Sequence, residues 1–273
     1  LVKEIFINNF KIGGNNPFIL IAGPCVIEDE EKTIYIAGRL KEISESVGIS
    51  LIFKSSYDKA NRTSIKSYRG PGINKGLKIL NMVKEKFNIP VLSDIHSINE
   101  VKIASEILDV VQIPALLCRQ TDIIAEAAKR AKVINIKKGQ FMAPWDVKYV
   151  IEKALYFSKN KNIMVTERGV VFGYNNLVSD MRSIVIMRKF GFPVVFDVTH
   201  SLQLPGLGES SGGEREYIEY LAKAAVAVGV DAIFMEVHPT PDKALCDGPN
   251  SLKLELLKPL LIKLKEIDRI VKC

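Results

Sequence analysis

The sequence predicts an α/β protein: one closed (β/α)8 barrel of the TIM type over residues 1–273, with a short N-terminal β-hairpin in 1–17. Three observations predict it. A short run rich in Ile, Val, Leu and Phe, followed by a helical pattern, recurs eight times. The runs are apolar almost throughout, as strands buried on both faces of a parallel sheet must be. Eight units in 273 residues, about 34 residues each, match the usual size of such a barrel. The competing architecture is an open doubly wound sheet. It is disfavoured because no Gly-rich phosphate-binding turn follows the first run.

The elements follow in order. EIFINNF and KIGGNNP lie outside the repeat and read as a hairpin placed to plug the bottom of the barrel. The eight strand runs are FILIAGPC (18–25), SLIFKSS (50–56), PVLSDI (90–95), VVQIP (110–114), VINIKK (133–138), IMVTER (163–168), PVVFDVTH (193–200) and AIFMEVHP (232–239). Pro90 and Pro193 suit the first position of a strand, where no ladder donor is required. Helical patterns occupy 30–47, 74–87, 97–107, 121–131, 146–159, 177–190, 214–228 and 252–271. In EREYIEYLAKAAVAV (214–228) apolar residues recur at three- and four-residue spacing, which gives one buried stripe. Ser97 ahead of Glu100, and Thr121-Asp122, are helix-start signals.

Composition narrows the function classes. Hydrophobic residues make up 47% and charged residues 25%, which is ordinary for a globular domain and excludes disordered or collagen-like chains. Cys25, Cys118, Cys246 and Cys273 have no CxxC spacing, so neither a disulfide framework nor an all-cysteine zinc site is expected. With no leader pattern and no long uncharged apolar stretch, a membrane span is not expected and a reducing cytoplasm is. The net charge of +7 permits nucleic acid as a partner. However, the basic residues are dispersed, and too few aromatics lie among them for base stacking. No nucleic-acid partner is expected.

The strand ends carry the chemical signal. The eight runs finish at or near Cys25, Lys54, Asp94, Gln112, Lys137, Arg168, His200 and Glu236. Polar groups buried without partners cost several kcal/mol each. Gathered at the C-terminal rim of a barrel they form a single mouth, where barrel enzymes hold their sites. Lys54, Lys59, Arg62, Arg119, Lys137, Lys138 and Arg168 lie at strand ends or in the loops just beyond. Clustered cations of this kind bind phosphate or carboxylate, so a multiply anionic ligand is expected. A solvated basic loop is the bland alternative for KSSYDKANRTS (54–64). Closure of a barrel makes its first strand neighbour its eighth, and its eighth the seventh. Cys25, His200 and Glu236 then become adjacent, with Asp247 in the following loop. Such a set suits a divalent transition metal, zinc or iron in preference to magnesium. Singly, a buried cysteine is often a small hydrophobe and a rim histidine only a hydrogen-bonding group. His96 and His238 receive no role. SLQLPGLGESSGG (201–213) reads as a lid or as a plain flexible loop.

AGPCVIE, FKSSYDKANRTS, QIPALLCRQTD, INIKKGQF, TERGVVFGYNNL, DVTHSLQLPG and FMEVHP, in this order, resemble the 3-deoxy-D-manno-octulosonate 8-phosphate synthases. The resemblance covers about residues 18–260. Related 3-deoxy-D-arabino-heptulosonate 7-phosphate synthases, which use erythrose 4-phosphate, typically read Lys-Pro-Arg-Thr where this chain has Lys59-Ala60-Asn61-Arg62. The resemblance implies a cytoplasmic homotetrameric transferase of lipopolysaccharide precursor synthesis. Its reaction joins phosphoenolpyruvate and D-arabinose 5-phosphate, with release of phosphate.

By motif, the resemblance implies that Lys137 and Arg168 hold phosphoenolpyruvate beside Lys54, Gln112 and Ala115. Asn61, Arg62 and Thr63 hold the sugar phosphate, and Arg119 reaches in from a neighbouring subunit. Lys59, Asp94, Lys137 and His200 stand at the reacting centre. The family has metal-dependent members with Cys at the position of Cys25 and metal-independent members with Asn there. Cys25, His200, Glu236 and Asp247 therefore imply the metal-dependent branch, with zinc, iron or manganese. One stretch departs from that branch: CDGPNS (246–251) resembles the metal-independent form. The alternatives are a heptulosonate phosphate synthase, separated by its aldehyde substrate, and a non-catalytic sugar-phosphate-binding barrel, which loss of a strand-end cation would favour. Lys54, Lys137 and Arg168 are all present.

Overall fold

The computed structural model describes residues 2–206 and 212–272. A hairpin of β1 (Ile5–Ile7) and β2 (Phe10–Ile12) comes first. The barrel strands are β3 (Ile19–Gly23), β4 (Leu51–Lys54), β5 (Val91–Asp94), β6 (Val110–Ile113), β7 (Val133–Lys137) and β8 (Ile163–Glu167). Two short pieces, β9 (Val170–Val171) and β10 (Leu177–Val178), pair with each other before β11 (Val194–Asp197). A second small pair, β12 (Gln203–Leu204) and β13 (Gly212–Gly213), precedes the last barrel strand, β14 (Ala232–His238). β15 (Leu252–Lys253) adds to the end of β14. All barrel neighbours are parallel, and β11 pairs with β14 while β14 pairs with β3. The sheet is therefore closed, and the open-sheet alternative is excluded.

Helices α1 (Glu30–Val47), α2 (Ile73–Phe87), α3 (Ile98–Ile107), α4 (Thr121–Arg130), α5 (Val147–Phe157), α6 (Arg182–Arg188), α7 (Ile218–Ala227) and α8 (Leu254–Val271) alternate with the strands. The Ser97 hydroxyl caps α3 by accepting from the Glu100 N–H at 3.3 Å, and the Glu100 carboxylate reaches back to accept from the His96 N–H at 3.0 Å. Thr121 is the first helical residue of α4, and its flanking residue Gln120 offers no side-chain cap. α6 is much shorter than the pattern over 177–190. Gly173 and Asn175 take left-handed φ values of 76° and 54°, so the chain folds back as β9–β10, and residues 177–178 are spent on that hairpin. α7 likewise starts late, after a 3-10 turn at Arg215–Tyr217.

Strand alternation divides the apolar residues into two cores. Leu20, Phe53, Val91, Val111, Ile136, Val165, Phe196 and Met235 face outward and pack under the helices. Ile21, Ile52, Leu92, Val110, Val133, Met164, Val195 and Phe234 face inward. The hairpin joins this inner core through Ile5, Ile7 and Ile12, all buried, and so seals the bottom of the barrel as the sequence predicts. Two positions further up the same inward faces come Lys54, Asp94, Gln112, Asn135, Thr166, Asp197 and Glu236. The barrel thus has a dry, plugged lower half and a polar upper half.

Candidate active site

Alternation places the polar layer, and buried hydrogen bonds fix it. Thr166 Oγ1 donates to Asn135 Oδ1 at 2.8 Å, and Asn135 Nδ2 donates to Gln112 Oε1 at 2.8 Å. Gln112 Nε2 donates to Asp94 Oδ1 at 2.6 Å, and Ser56 Oγ donates to Asp94 Oδ2 at 2.7 Å. Groups on four strands and one loop are thereby locked in one orientation. Each amide uses its nitrogen on one side and its oxygen on the other, so the network has a defined direction. Burial works against the Asp94 carboxylate. Lys54, Lys59, Lys137 and the Gln112 amide overcome it and hold Asp94 well below the usual carboxylate range.

Above this layer lies a cavity of about 440 Å³. It is lined by Lys59, Asn61, Arg62, Thr63, Asp94, Ala115, Lys137, Arg168, His200 and Asp247, which come from seven different βα loops or strand ends. Lys54 and Gln112 lie just beneath and are almost fully buried. Arg119 is exposed and is not among the lining residues. Lys138 is turned away: its ammonium sits 3.2 Å from Glu167 and donates to the Met142 carbonyl at 3.1 Å. The part of the 201–213 stretch at 207–211 lies outside the described residues.

Most of the cations are neutralised within the site. Lys54 pairs with Glu236 at 2.8 Å, Lys59 lies 3.8 Å from the same oxygen, and Arg62 is 3.6 Å from Asp247. Lys137 pairs with the buried Asp197. Arg168 differs. Its Nη2 donates to Gln203 Oε1 at 3.0 Å, and its buried Nη1 has no partner among the described residues. Burial lowers its pKa, and Asp197, Glu167 and Asp247 act on it only at longer range. A buried guanidinium without a carboxylate partner, on a cavity wall, is arranged to receive an anion.

Across the mouth is the second chemical feature. Cys25 Sγ is 3.4 Å from Asp247 Oδ2. His200 Nε2 is 3.7 Å from that same oxygen and 3.6 Å from Glu236 Oε1. Ligand atoms on a tetrahedral ion with bonds of about 2.0–2.3 Å stand about 3.4 Å apart, so these spacings fit a bound divalent metal. Asp247 belongs to both compact groups, one with Cys25 and Cys246, the other with His200 and Glu236. Its backbone is left-handed, with φ 46°, a conformation that aspartate tolerates better than most residues. Glu236 Oε2 is buried and unpartnered. Burial, Cys246, Asp247 and Glu236 together push the Cys25 thiol well up. A cation would relieve that crowding of acidic groups. Burial opposes charge on His200, yet Asp197 and Glu236 raise its pKa.

Several residues of this site escape a reading of strand ends. Asn135, Thr166 and Asp197 lie inside runs that read as apolar. The signal that finds them is two-residue alternation: Asn135 shares a face with Lys137, and Thr166 with Arg168. Cys246 lies 2.6 Å from Cys25, sulfur to sulfur. His96 lines the cavity, and its ring Nδ1 lies 3.1 Å from Glu100.

The fold and site define a class: a (β/α)8 barrel enzyme with a cation-lined mouth and a cluster of metal-ligating side chains at one corner. The chain matches the DAHP synthetase I family over residues 3–273. It is 66% identical to the 2-dehydro-3-deoxyphosphooctonate aldolase of Geotalea uraniireducens strain Rf4, over 100% of both chains. It is 63% identical to the protein of that name in Geotalea daltonii and 62% identical to the one in Geobacter sulfurreducens, again over 100% of both chains. The chain belongs to the DAHP synthetase I family.

Proposed function

We infer that the protein condenses phosphoenolpyruvate with D-arabinose 5-phosphate and water, giving 3-deoxy-D-manno-octulosonate 8-phosphate and inorganic phosphate. C3 of phosphoenolpyruvate forms a bond to the aldehyde carbon, whose oxygen takes a proton. Water adds its oxygen to C2, and phosphate leaves with the C2–O bond broken. The observation that carries the reading is Arg168, a buried cation on the cavity wall whose Nη1 has no partner.

The residue roles are proposals. Arg168 and Lys137 hold the carboxylate and phosphate of phosphoenolpyruvate above Lys54 and Gln112, with Ala115 alongside. Asn61, Arg62 and Thr63 hold the phosphate of the sugar at the outer wall. Two mutually repelling anions are thereby kept in contact, which is positioning and electrostatic work. Lys59 and Asp94 face the space between them and orient the aldehyde and sugar hydroxyls. Cys25, His200, Glu236 and Asp247 would hold a divalent transition metal, zinc, iron or manganese, supplying Lewis acidity beside the aldehyde oxygen and the attacking water.

We further propose a homotetramer in which Arg119 serves a neighbouring subunit's mouth. Large apolar side chains left exposed on the loops beyond β6, β7 and β8, namely Leu116, Phe141, Trp145 and Phe172, support this, because association would remove them from water. No helix among the described residues is long and apolar enough to cross a membrane. Free thiols favour the reducing cytoplasm, and cell fractionation checks that placement.

Phosphate release from phosphoenolpyruvate is expected only when arabinose 5-phosphate is present. Turnover as good with erythrose 4-phosphate would assign the heptulosonate reaction instead, and no turnover with either would leave a binding barrel. Chelation should abolish the activity and added zinc or manganese should restore it. Full activity after exhaustive chelation refutes the metal assignment. Sedimentation of the same sample should give a tetramer of 30.4 kDa chains.

A further inference from the structure

Cys25 and Cys246 are 221 residues apart, yet their sulfur atoms are 2.6 Å from one another. Both are free cysteines, and both are buried in a small cluster with Val26 and Tyr68. The loops that carry them are tied by the Leu245 N–H, which donates to Glu28 Oε1 at 2.8 Å. Parallel pairing of β3 with β14 runs up to Gly23 and Glu236, just below the two thiols. Their approach is thus built into the barrel. Arg62 Nη1 lies 3.1 Å from Cys246 Sγ and also lines the cavity. The sulfur pair therefore sits one side chain beneath the open mouth, within reach of a small oxidant.

We propose that Cys25 and Cys246 form a reversible disulfide when the metal corner is empty. With hydrogen peroxide as oxidant, the two thiols lose two protons and two electrons as the sulfur–sulfur bond forms, and the peroxide becomes two waters. A thiol or dithiol reductant reverses the step by exchange. The disulfide removes the soft donor from the group Cys25, His200, Glu236 and Asp247, leaving only nitrogen and oxygen. Metal and disulfide are then mutually exclusive states of one sulfur. Cys118 belongs to the outer core beneath the helices, apart from the cluster that holds Cys25 and Cys246. The pairing itself stands on the sulfur geometry. Only the exclusion of one state by the other rests on the metal reading.

The test treats protein stripped by a chelator with one equivalent of hydrogen peroxide, then alkylates it and maps the peptides by mass spectrometry. The expected result is a loss of about 2 Da, a cross-link joining the Cys25 and Cys246 peptides, and recovery of both thiols with dithiothreitol. Cys246→Ser should give no cross-link and keep Cys25 alkylatable. Cys118→Ser, which leaves the pair intact, should cross-link like the parent protein. Cys25 and Cys246 both alkylatable after peroxide in the parent protein and in Cys118→Ser, or cross-linking to other cysteines, overturns the proposal. Prior loading with zinc should protect both thiols. A cross-link that forms equally with zinc present upholds the pairing and overturns Cys25 as a metal ligand.

Discussion

The Asp197 carboxylate serves Lys137, His200 and the Thr199 hydroxyl at once. One carboxylate oxygen pairs with Lys137 and lies 2.8 Å from His200 Nδ1. The other accepts the His200 backbone N–H at 2.9 Å. The contact to Nδ1 is off the direction of a ring N–H, so it acts as a close charge contact rather than an aligned hydrogen bond. Burial works against the Asp197 carboxylate, but His200 and Lys137 hold it well below its ordinary range. It therefore stays an anion beside Nδ1, while Nε2 faces Glu236 and Asp247. Carboxylates in this position behind a ligating histidine typically matter to metal affinity by about 10–100-fold. Asp197→Asn should weaken zinc binding by about that factor, read by competition with a chromophoric chelator, while the circular dichroism spectrum is kept. Unchanged affinity would mean that His200 needs no such partner.

At the scale of elements, the hairpin and the strand alternation account for what could and could not be read from the sequence. The eight strands and most helices were legible because burial on both faces leaves long apolar runs and burial on one face leaves a stripe. The rim residues Lys54, Asp94 and Lys137 were legible because each ends a strand. Asp197 and Cys246 were not. Asp197 sits three residues before the histidine that ends its run, and Cys246 comes near Cys25 only through closure of β3 on β14. α6 is shorter than its pattern because a left-handed turn at Gly173 and Asn175 takes the first residues of that pattern into β9–β10. The hairpin tests the same logic. Ile5 and Ile7 are buried in the inner core, whereas Phe6 between them is 64% exposed. Ile5→Ala and Ile7→Ala should each cost about 2–5 kcal/mol in urea unfolding, as other buried isoleucine truncations do. Phe6→Ala should cost within about 0.5 kcal/mol, the range of ordinary surface changes. Equal losses at all three positions would show that the hairpin does not plug the barrel.

Across the whole molecule, charge is organised so that stability and binding oppose each other at one point. The chain carries a net charge of +7, but inside the mouth Lys54, Lys59, Arg62 and Lys137 are offset by Glu236, Asp247 and Asp197. Arg168 is left over, 4% exposed and without a carboxylate partner. A buried charge of this kind destabilises the empty protein and rewards the anion that neutralises it. Phosphoenolpyruvate at 100 times its dissociation constant should add about 2.7 kcal/mol, which for a domain of this size raises the melting temperature by about 5 °C. Arg168→Met keeps most of the side-chain volume and removes the charge. That variant should melt no lower than the parent without ligand and should lose the shift with phosphoenolpyruvate. The opposite pattern, a variant that melts several degrees lower yet keeps its ligand shift, would make Arg168 a structural cation. The anion would then have to be held by Lys54, Lys59, Arg62 and Lys137, each of which already has a carboxylate neighbour.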